Sequence, residues 1–397
     1  MFGALRYRNY RFYWFGQFPS VLAQNMQHVA LPWLVLDLTG SAALLGVTGL
    51  MQTVPNIALS FLGGAIADRV DRRRMLIGTQ AAQALLFLGL GTLVAAELAQ
   101  IWEVLAVAFL LGCVRAFDQP TRQAILPLAV PAEEIPNAVP LGNLIWNTSR
   151  LVGPAAAGML IYLVGVGQTF YIAAAGFIIA LGLFAQIRLD PAVTRAADAG
   201  ILRNMLDGMD FIRRNEIVAA LIGLTFFNSV FGMSYTIMLP LFARDILHVG
   251  SQGFGFLETS SAIGSLLATF GVAAFARSRG YGWSILIGAA AFGALIVGFA
   301  MSTSFALSFA LLFLAGAASQ VYMTLGNTAL QLRLPNEFRG RVMGVWGLTF
   351  SLMPLGGTIS GGIAEYAGAP AALAIGGMLV TLMALVVAVA MPRFREL

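Results

Sequence analysis

Apolar runs of about 20 residues or more dominate this sequence, and charged or glycine- and proline-rich segments separate them. A helix needs about 20 apolar residues to cross the hydrocarbon core of a bilayer. Twelve runs reach that length, and each predicts a transmembrane helix. They cover approximately residues 10–36, 43–67, 74–95, 101–123, 139–163, 167–187, 217–243, 253–276, 283–301, 304–327, 342–365 and 370–391. The sequence therefore predicts an all-α polytopic membrane protein.

The low charge content excludes several other classes of protein. Charged residues make up 10% of the 397 residues, whereas soluble domains carry roughly 25%. So few charges cannot cover the surface of a soluble protein, which excludes a soluble enzyme, a nucleic-acid-binding protein and a disordered chain. One cysteine, Cys113, leaves no intrachain disulfide, and two histidines argue against a metal centre. We expect no metal and no cofactor.

The arginines orient the predicted spans. The chain has 23 arginines and no lysine, and 20 of the arginines fall on alternate connections. Only Arg244 lies on the opposite side, while Arg115 and Arg150 lie inside spans. Because cytoplasmic loops are enriched in basic residues, we expect a multi-pass protein of the cell (inner) membrane with both termini in the cytoplasm. The net charge of +5 then reflects these loops and not nucleic-acid binding.

The longest connection divides the chain into halves with six spans each. We expect an N-terminal six-helix bundle at residues 1–187, a cytoplasmic linker at residues 188–216 and a C-terminal six-helix bundle at residues 217–397. Apolar and charged residues alternate at helical spacing over residues 201–217. This pattern predicts an amphipathic helix that lies on the membrane surface.

Two pairs of short segments indicate an internal repeat of about 200 residues. Similar segments follow the fourth and tenth spans, at residues 130–134 and 334–338. The next span of each half contains a glycine- and proline-bearing segment, at residues 153–158 and 354–358. Six helices plus six is one of the known secondary-transporter designs. We therefore expect two pseudo-symmetric bundles.

The most specific motif closes the second span at residues 64–74. It resembles the Gly-x-x-x-Asp-Arg-x-Gly-Arg-Arg signature of the major facilitator superfamily. The matching positions are Gly64, Asp68, Arg69, Arg72 and Arg73. Asp71 stands where the family usually has glycine. The resemblance implies the major facilitator fold and a gating latch in which Asp68 faces the start of the eleventh span and Arg122, with Asp118 included in the predicted latch.

Four further segments narrow the resemblance, at residues 38–41, 118–123, 131–138 and 150–154. They look like the enterobactin-exporter and macrolide-efflux branch of the superfamily. This implies an exporter of drug- or siderophore-like compounds that works by alternating access and proton antiport. ATP-driven pumping by this chain is excluded, because a phosphate-binding loop needs a lysine. Proton-coupled uptake of a small organic solute and a non-transporting membrane sensor stay open as alternatives, and we expect a monomer surrounded by lipid.

Three titratable residues are candidates for proton coupling, namely Glu258, Asp37 and His28. Ionisable groups inside a membrane are costly and mark functional positions. A carboxylate in a low-dielectric environment can bind a proton near neutral pH, as coupling requires. The alternatives are a solvated or paired carboxylate at the mouth of a path for Glu258 and a hydrogen-bonded ring for His28.

Polar residues at helical spacing predict a substrate cavity. The candidates are Gln17, Gln24, Arg115, Asn147, Arg150, Asn228, Tyr235, Gln320 and Thr324. Arg150 lies near the middle of the fifth span. Arg115, Asp118 and Arg122 share one face of the fourth, so Asp118 can neutralise either arginine. Such arginines either form structural ionic bonds or attract an anionic substrate.

Overall fold

The computed structural model describes residues 3–67, 70–188, 201–275 and 281–397, with side chains at 3–60, 70–188, 207–272 and 281–397. The regular elements in those ranges are all helices. The first half contains α1 (Arg8–Thr39), α2 (Ala42–Ala67), α3 (Arg72–Ala95), α4 (Ile101–Ala129), α5 (Ile135–Val164) and α6 (Val166–Phe184). The second half contains α7 (Ile201–Arg214), α8 (Glu216–Phe227), α9 (Tyr235–Leu241), α10 (Gly250–Phe275), α11 (Tyr281–Ala300), α12 (Phe305–Arg333), α13 (Asn336–Ser351), α14 (Met353–Ala367), α15 (Ala369–Ala390) and α16 (Pro392–Arg395).

Eight helical segments of the described chain are long and apolar enough to cross a membrane. They are Ala42–Ser60, Arg72–Ala95, Val166–Phe184, Glu216–Ile246, Tyr281–Ala300, Phe305–Arg333, Asn336–Ala367 and Ala369–Ala390. Helices α1, α4, α5 and α10 fall outside this set, although they have 26 to 32 residues each. These four helices carry His28, Arg115, Arg150 and Glu258. These four candidates thus lie on helices that are less uniformly apolar than the eight segments.

The chain groups into two compact units. Unit 1 comprises Met1–Gly40, Leu50–Ala197 and Gly250–Gly255, and unit 2 comprises Ser41–Gly49, Asp198–Val249 and Phe256–Leu397. Residues 189–200, which contain the first part of the predicted linker, lie outside the described residues.

Aromatic side chains pack the helices of unit 1 together. Phe87 on α3 lies 5.7 Å from Phe170 and 5.3 Å from Phe177, both on α6, measured between ring centroids. Tyr13 on α1 stacks on Phe184 at 6.1 Å. All five rings are buried. Because lipid is as apolar as these side chains, their close fit holds the helices together more than exclusion from water does.

Two predicted spans are interrupted in unit 2. A π-helical turn at Asn228–Gly232 separates α8 from α9, and a second one follows at Phe242–Ile246. The eleventh span is divided at Leu352, where α13 ends and α14 begins. Pro354 stands at the start of α14 and has no N–H to donate to the preceding turn. The apolar pattern predicted one uninterrupted helix in each case, and the structure interrupts both.

Helix α7 packs on α13 within unit 2. Phe211 stacks on Phe338 with ring centroids 4.6 Å apart and an interplanar angle of 22°. Asp207 Oδ2 lies 3.1 Å from Arg341 Nη1. A helix thus covers Ile201–Arg214 of the segment 201–217, and it places its aromatic side chain on protein.

Matching features of the two halves support the internal repeat. Helices α4 and α12 both have 29 residues and begin 204 residues apart. Gly112 on α4 and Gly316 on α12 stand at the same separation, and each lies against a backbone carbonyl, of Gln52 and of Ser261. A glycine with positive φ precedes α6 and α15 alike. Close helix approach at small residues is typical of membrane proteins.

Candidate functional site

A buried ion pair lies on α4 in unit 1. Arg122 Nε lies 2.6 Å from Asp118 Oδ2, and each residue is 4% exposed. The two residues are one helical turn apart, so their side chains meet on one face. The spacing allowed Asp118 to pair with either Arg115 or Arg122, and in the structure it pairs with Arg122.

Neutral side chains from α1 and α3 complete the hydrogen bonds of this pair. Thr79 Oγ1 and Gln80 Nε2 donate to Asp118 Oδ1, at 2.7 and 2.8 Å. Arg122 Nη2 donates to Ser20 Oγ at 2.6 Å. Of the side-chain polar atoms of this pair, Nη1 of Arg122 is buried without a partner among the described residues. These contacts tie α1, α3 and α4 together through buried hydrogen bonds.

The predicted cavity residues on α1 contribute little open surface. Gln24 is 8% exposed and lies 3.5 Å from Asp118 Oδ2 through its Nε2 atom, so it belongs to the edge of the network. Gln17 is 5% exposed. Both side chains are buried in this structure.

The predicted latch is described only in part. Gly64 lies in α2, whereas Asp68 and Arg69 lie outside the described residues. Arg72 and Arg73 form the first turn of α3, and Arg73 Nη2 donates to the Ala185 carbonyl oxygen.

Asp71 caps α3 at the position where the family usually has glycine. Its carboxylate accepts from the N–H groups of Arg73, at 2.9 Å, and Arg74, at 3.3 Å. Its φ of −56° is open to any residue, so this turn does not need glycine. An aspartate here satisfies helix N–H groups that otherwise lack partners.

Arg115 lies near His28 in unit 1. Its Nη2 atom is 3.4 Å from His28 Nε2 and 3.5 Å from Gln27 Oε1. Gln27 Nε2 in turn donates to Gln52 Oε1 at 3.1 Å. Arg115 is half-buried, and the His28 side chain is exposed. A proton-coupling candidate and a cavity candidate thus lie side by side.

Helix α5 presents an exposed polar stripe. Asn143, Trp146, Asn147 and Arg150 are exposed, whereas Ile145 and Ser149 between them are buried. Arg115 and Arg150 both lie within Coulomb range of the His28 ring. The predicted cavity residues Asn147 and Arg150 therefore face the same side of α5 and are accessible.

The cavity candidates of unit 2 are buried or half-buried. Asn228 is fully buried, and Tyr235 is 3% exposed with its hydroxyl 2.9 Å from Ser261 Oγ. Gln320 Nε2 donates to Thr324 Oγ1 at 3.0 Å, and both residues are half-buried. Their helical spacing predicted a shared face, and the hydrogen bond between them follows from it.

The two acidic coupling candidates belong to different units. Glu258 is the ninth residue of α10 and is half-buried, whereas Asp37 is exposed near the end of α1. Among the described residues, no three His, Cys, Asp or Glu side chains are grouped so that they could hold a metal ion.

The sequence analysis did not predict several residues that contact the candidate site residues or the helix ends. Thr79 and Gln80 bind the Asp118 carboxylate, and Gln52 contacts Gln27. Glu365 accepts from Ser41 Oγ at 3.2 Å and from the Ala43 N–H at 3.4 Å, at the first turn of α2. A glutamine within an otherwise apolar span was the available signal for Gln52 and Gln80. Glu365 stands out only as an acid at the end of a span.

Known proteins resemble this chain along its whole length. A family model described as "Transmembrane secretion effector" matches residues 1–397. Macrolide efflux protein A of Streptococcus pyogenes is 26% identical, with 96% of each chain covered. The staphyloferrin A transporter of Staphylococcus aureus is 26% identical with 87% of each covered, and the enterobactin exporter EntS of Shigella boydii is 24% identical with 98% of this chain and 93% of EntS covered.

Solved transporter structures share the fold. The nucleoside transporter NupG superposes with a TM-score of 0.75 at 14% identity, over 95% of this chain and 97% of NupG. A mutant of the peptide transporter POT reaches a TM-score of 0.74 at 12% identity, over 96% of this chain and 95% of POT. The family and the relatives are transporters and not enzymes. The chain therefore belongs to the transmembrane secretion effector family of major facilitator superfamily transporters.

Proposed function

We propose that this chain is a secondary active transporter that exports small amphipathic organic compounds, drug- or siderophore-like, by alternating access. The observation that carries the proposal is the exposed Arg150 in the middle of α5, where it is the sixteenth of 30 residues. A charged side chain at that depth costs about 2.5 kcal/mol or more when it faces lipid. A water-filled path along this face of α5 removes that cost. The efflux functions in the names of the relatives favour export.

The proposed topology follows from the arginines and the repeat. Twelve transmembrane helices form two six-helix bundles, at residues 1–187 and 217–397, in the cell (inner) membrane. Both termini are cytoplasmic, because the basic residues concentrate on alternate connections. The transporter works as a monomer.

Proton antiport is the proposed energy source. Glu258 is an acidic residue within a helix, half-buried, and can bind and release a proton as its surroundings alternate between open and closed. Asp37 and His28 are the other candidates. The proposed latch around Asp68, Arg69 and Arg72 controls access from the cytoplasm.

Transport by everted membrane vesicles tests the proposal. The cytoplasmic face of such vesicles is outside, so an exporter accumulates its substrate inside when respiration acidifies the interior. We expect accumulation of at least one compound from a panel that includes a radiolabelled macrolide, and loss of accumulation when a protonophore is added. Absence of energy-dependent accumulation across the panel would count against export.

A pair of variants tests the coupling role of Glu258. We expect Glu258→Gln to abolish proton-driven accumulation while substrate binding persists, because the amide cannot carry a proton. Glu133→Gln is the matched control, since Glu133 is exposed and lies outside the predicted spans. Unchanged accumulation by Glu258→Gln removes Glu258 from the mechanism.

The same vesicles separate the two alternative functions. An uptake symporter accumulates substrate in right-side-out vesicles and not in everted ones. A non-transporting sensor binds ligand but moves none in either orientation.

A further inference from the structure

We infer that Arg115, His28 and Arg150 form a subsite for the acidic group of an amphipathic organic anion. The inference rests on the proposed transport function and names the class of substrate. All three residues belong to unit 1, on α1, α4 and α5. The ligand class is an aromatic or aliphatic molecule that carries a carboxylate, a phenolate or a similar oxygen anion.

Arg115 keeps its positive charge available. The side chains within hydrogen-bond distance of it, Gln27 and His28, are both without negative charge. A guanidinium can only donate hydrogen bonds, so His28 Nε2 must accept in this contact and the ring is neutral. The distances of 3.4 and 3.5 Å are long, and weak contacts of this kind are readily exchanged for an anionic acceptor.

The nearest carboxylate on the same helix is already engaged. Asp118 lies within Coulomb range of Arg115. Its Oδ2 atom accepts from Arg122, and its Oδ1 atom accepts from Thr79 and Gln80. Among the described residues of unit 1, no carboxylate lies within 4 Å of Arg115 or Arg150. The carboxylate that acts on Arg115 within unit 1 is thus bound by other donors, and Arg115 keeps the capacity to bind an external anion.

The positive charge of this cluster favours an anionic ligand over a cationic one. A cation would meet two guanidinium groups and a ring that becomes positive when it is protonated. An anion gains charge-assisted hydrogen bonds, which arginine forms in bidentate geometry with carboxylates. Arg150 is exposed and can therefore make such bonds with a ligand.

Trp146 supplies a surface for the apolar part of the ligand. It lies one turn before Arg150 on the exposed stripe of α5, and it is 41% exposed. An aromatic side chain beside a cationic group suits a ligand with an aromatic body and an acidic end.

The test compares two ligands that differ only in charge. Naphthalene-2-carboxylate and naphthalene-2-carboxamide have the same ring system and similar size. We expect the purified full-length chain in lipid nanodiscs to bind the carboxylate about tenfold more tightly or better, as a charge-assisted hydrogen bond implies. Equilibrium dialysis with radiolabelled ligands measures both affinities.

Variants then assign the preference to the two arginines. Arg115→Gln and Arg150→Gln each lower carboxylate affinity about tenfold and leave carboxamide affinity unchanged. Arg115→Lys keeps the charge and retains a preference for the carboxylate. The control is Arg333→Gln, which removes the same charge from the exposed last turn of α12 and changes neither affinity.

Three results would overturn the anion subsite. They are equal affinity for the two ligands, no saturable binding of the carboxylate, and unchanged carboxylate binding by the folded glutamine variants. If vesicles transport other compounds without a preference for anions, the subsite is rejected and the proposed export function is retained. If the chain binds anions selectively but transports nothing in either vesicle orientation, the proposed export function is rejected and the subsite is retained.

Discussion

Arg122 donates from Nε to Asp118 Oδ2 across 2.6 Å, and both side chains are almost completely buried. Removing one partner of a buried ion pair leaves the other charge without compensation, which costs about 3–5 kcal/mol. We expect Asp118→Asn to lower the free energy of unfolding by that amount. Arg122→Gln should cost less, because Thr79 and Gln80 continue to donate to the remaining carboxylate. Denaturant unfolding of the purified chain in detergent measures both.

An exposed pair with the same spacing provides the control. Asp210 and Arg214 lie 2.8 Å apart on α7, with 58% and 79% of their side chains exposed. Exposed ion pairs contribute about 0–1 kcal/mol, so Asp210→Asn should change stability little. Equal losses for Asp118→Asn and Asp210→Asn would contradict the argument from burial.

Helices α2 and α4 approach closely at Gly112, so a larger side chain there should lower the stability of the protein. A Cβ atom at Gly112 would overlap the carbonyl oxygen of Gln52 and lie 2.7 Å from Pro55 Cγ. Overpacking of this kind costs about 1–3 kcal/mol. We expect Gly112→Ala to lower the melting temperature and the yield of monodisperse protein. Gly89→Ala is the control, because nothing lies within 4 Å of a Cβ at Gly89 and alanine has the higher helix propensity. A similar loss at Gly89 would show that the close approach at Gly112 is not the cause.

The positions of the helices followed from the apolar pattern because a membrane helix satisfies its own backbone hydrogen bonds. Length and apolarity therefore indicate where most spans lie. The interruptions at Asn228 and at Leu352 depend on π-turn geometry and on a proline after a break, and the apolar pattern carries neither. The motif indicated only that position 71 lacks the usual glycine, so it did not predict that Asp71 caps α3.

The sequence predicted which site residues share a face of one helix. It did not predict which residues of other helices they contact. Helical spacing placed Asp118 on one face with both Arg115 and Arg122 and could not choose between them, whereas the structure pairs Asp118 with Arg122. It could not tell whether a polar face meets water or another helix, so Asn228 and Tyr235 were predicted in a cavity and lie buried. The partners of Asp118 on α3 come from a different helix, and spacing within one helix carries no information about them.

The contact of Glu365 with the start of α2 predicts a modest stabilisation. Glu365 lies at the C-terminal end of α14, where the dipole of its own helix disfavours an anion, and at the N-terminal end of α2, where the dipole favours one. We expect Glu365→Gln to lower the free energy of unfolding by about 0.3–1 kcal/mol at low salt. High salt should reduce the difference, because the residue is exposed.

Glu396→Gln is the control for that measurement, since Glu396 is an exposed acid in the last two residues of the chain. Thermal unfolding at two salt concentrations compares the variants. A loss for Glu365→Gln that does not depend on salt would mean that packing, and not charge at the helix end, is responsible.

The stacking of Phe211 on Phe338 predicts how firmly α7 is held. Aromatic pairs contribute about 0.5–1.5 kcal/mol beyond their buried area. We expect Phe211→Ala to raise the population of detached α7 about tenfold or more. Trypsin cleaves after arginine, so cleavage after Arg213 and Arg214 should accelerate by the same factor when opening is fast relative to cleavage. Met209→Ala is the matched control, because Met209 is 41% exposed. Equal cleavage of the Phe211 variant and the unmodified chain would show that the ion pair of Asp207 with Arg341 suffices to hold the helix.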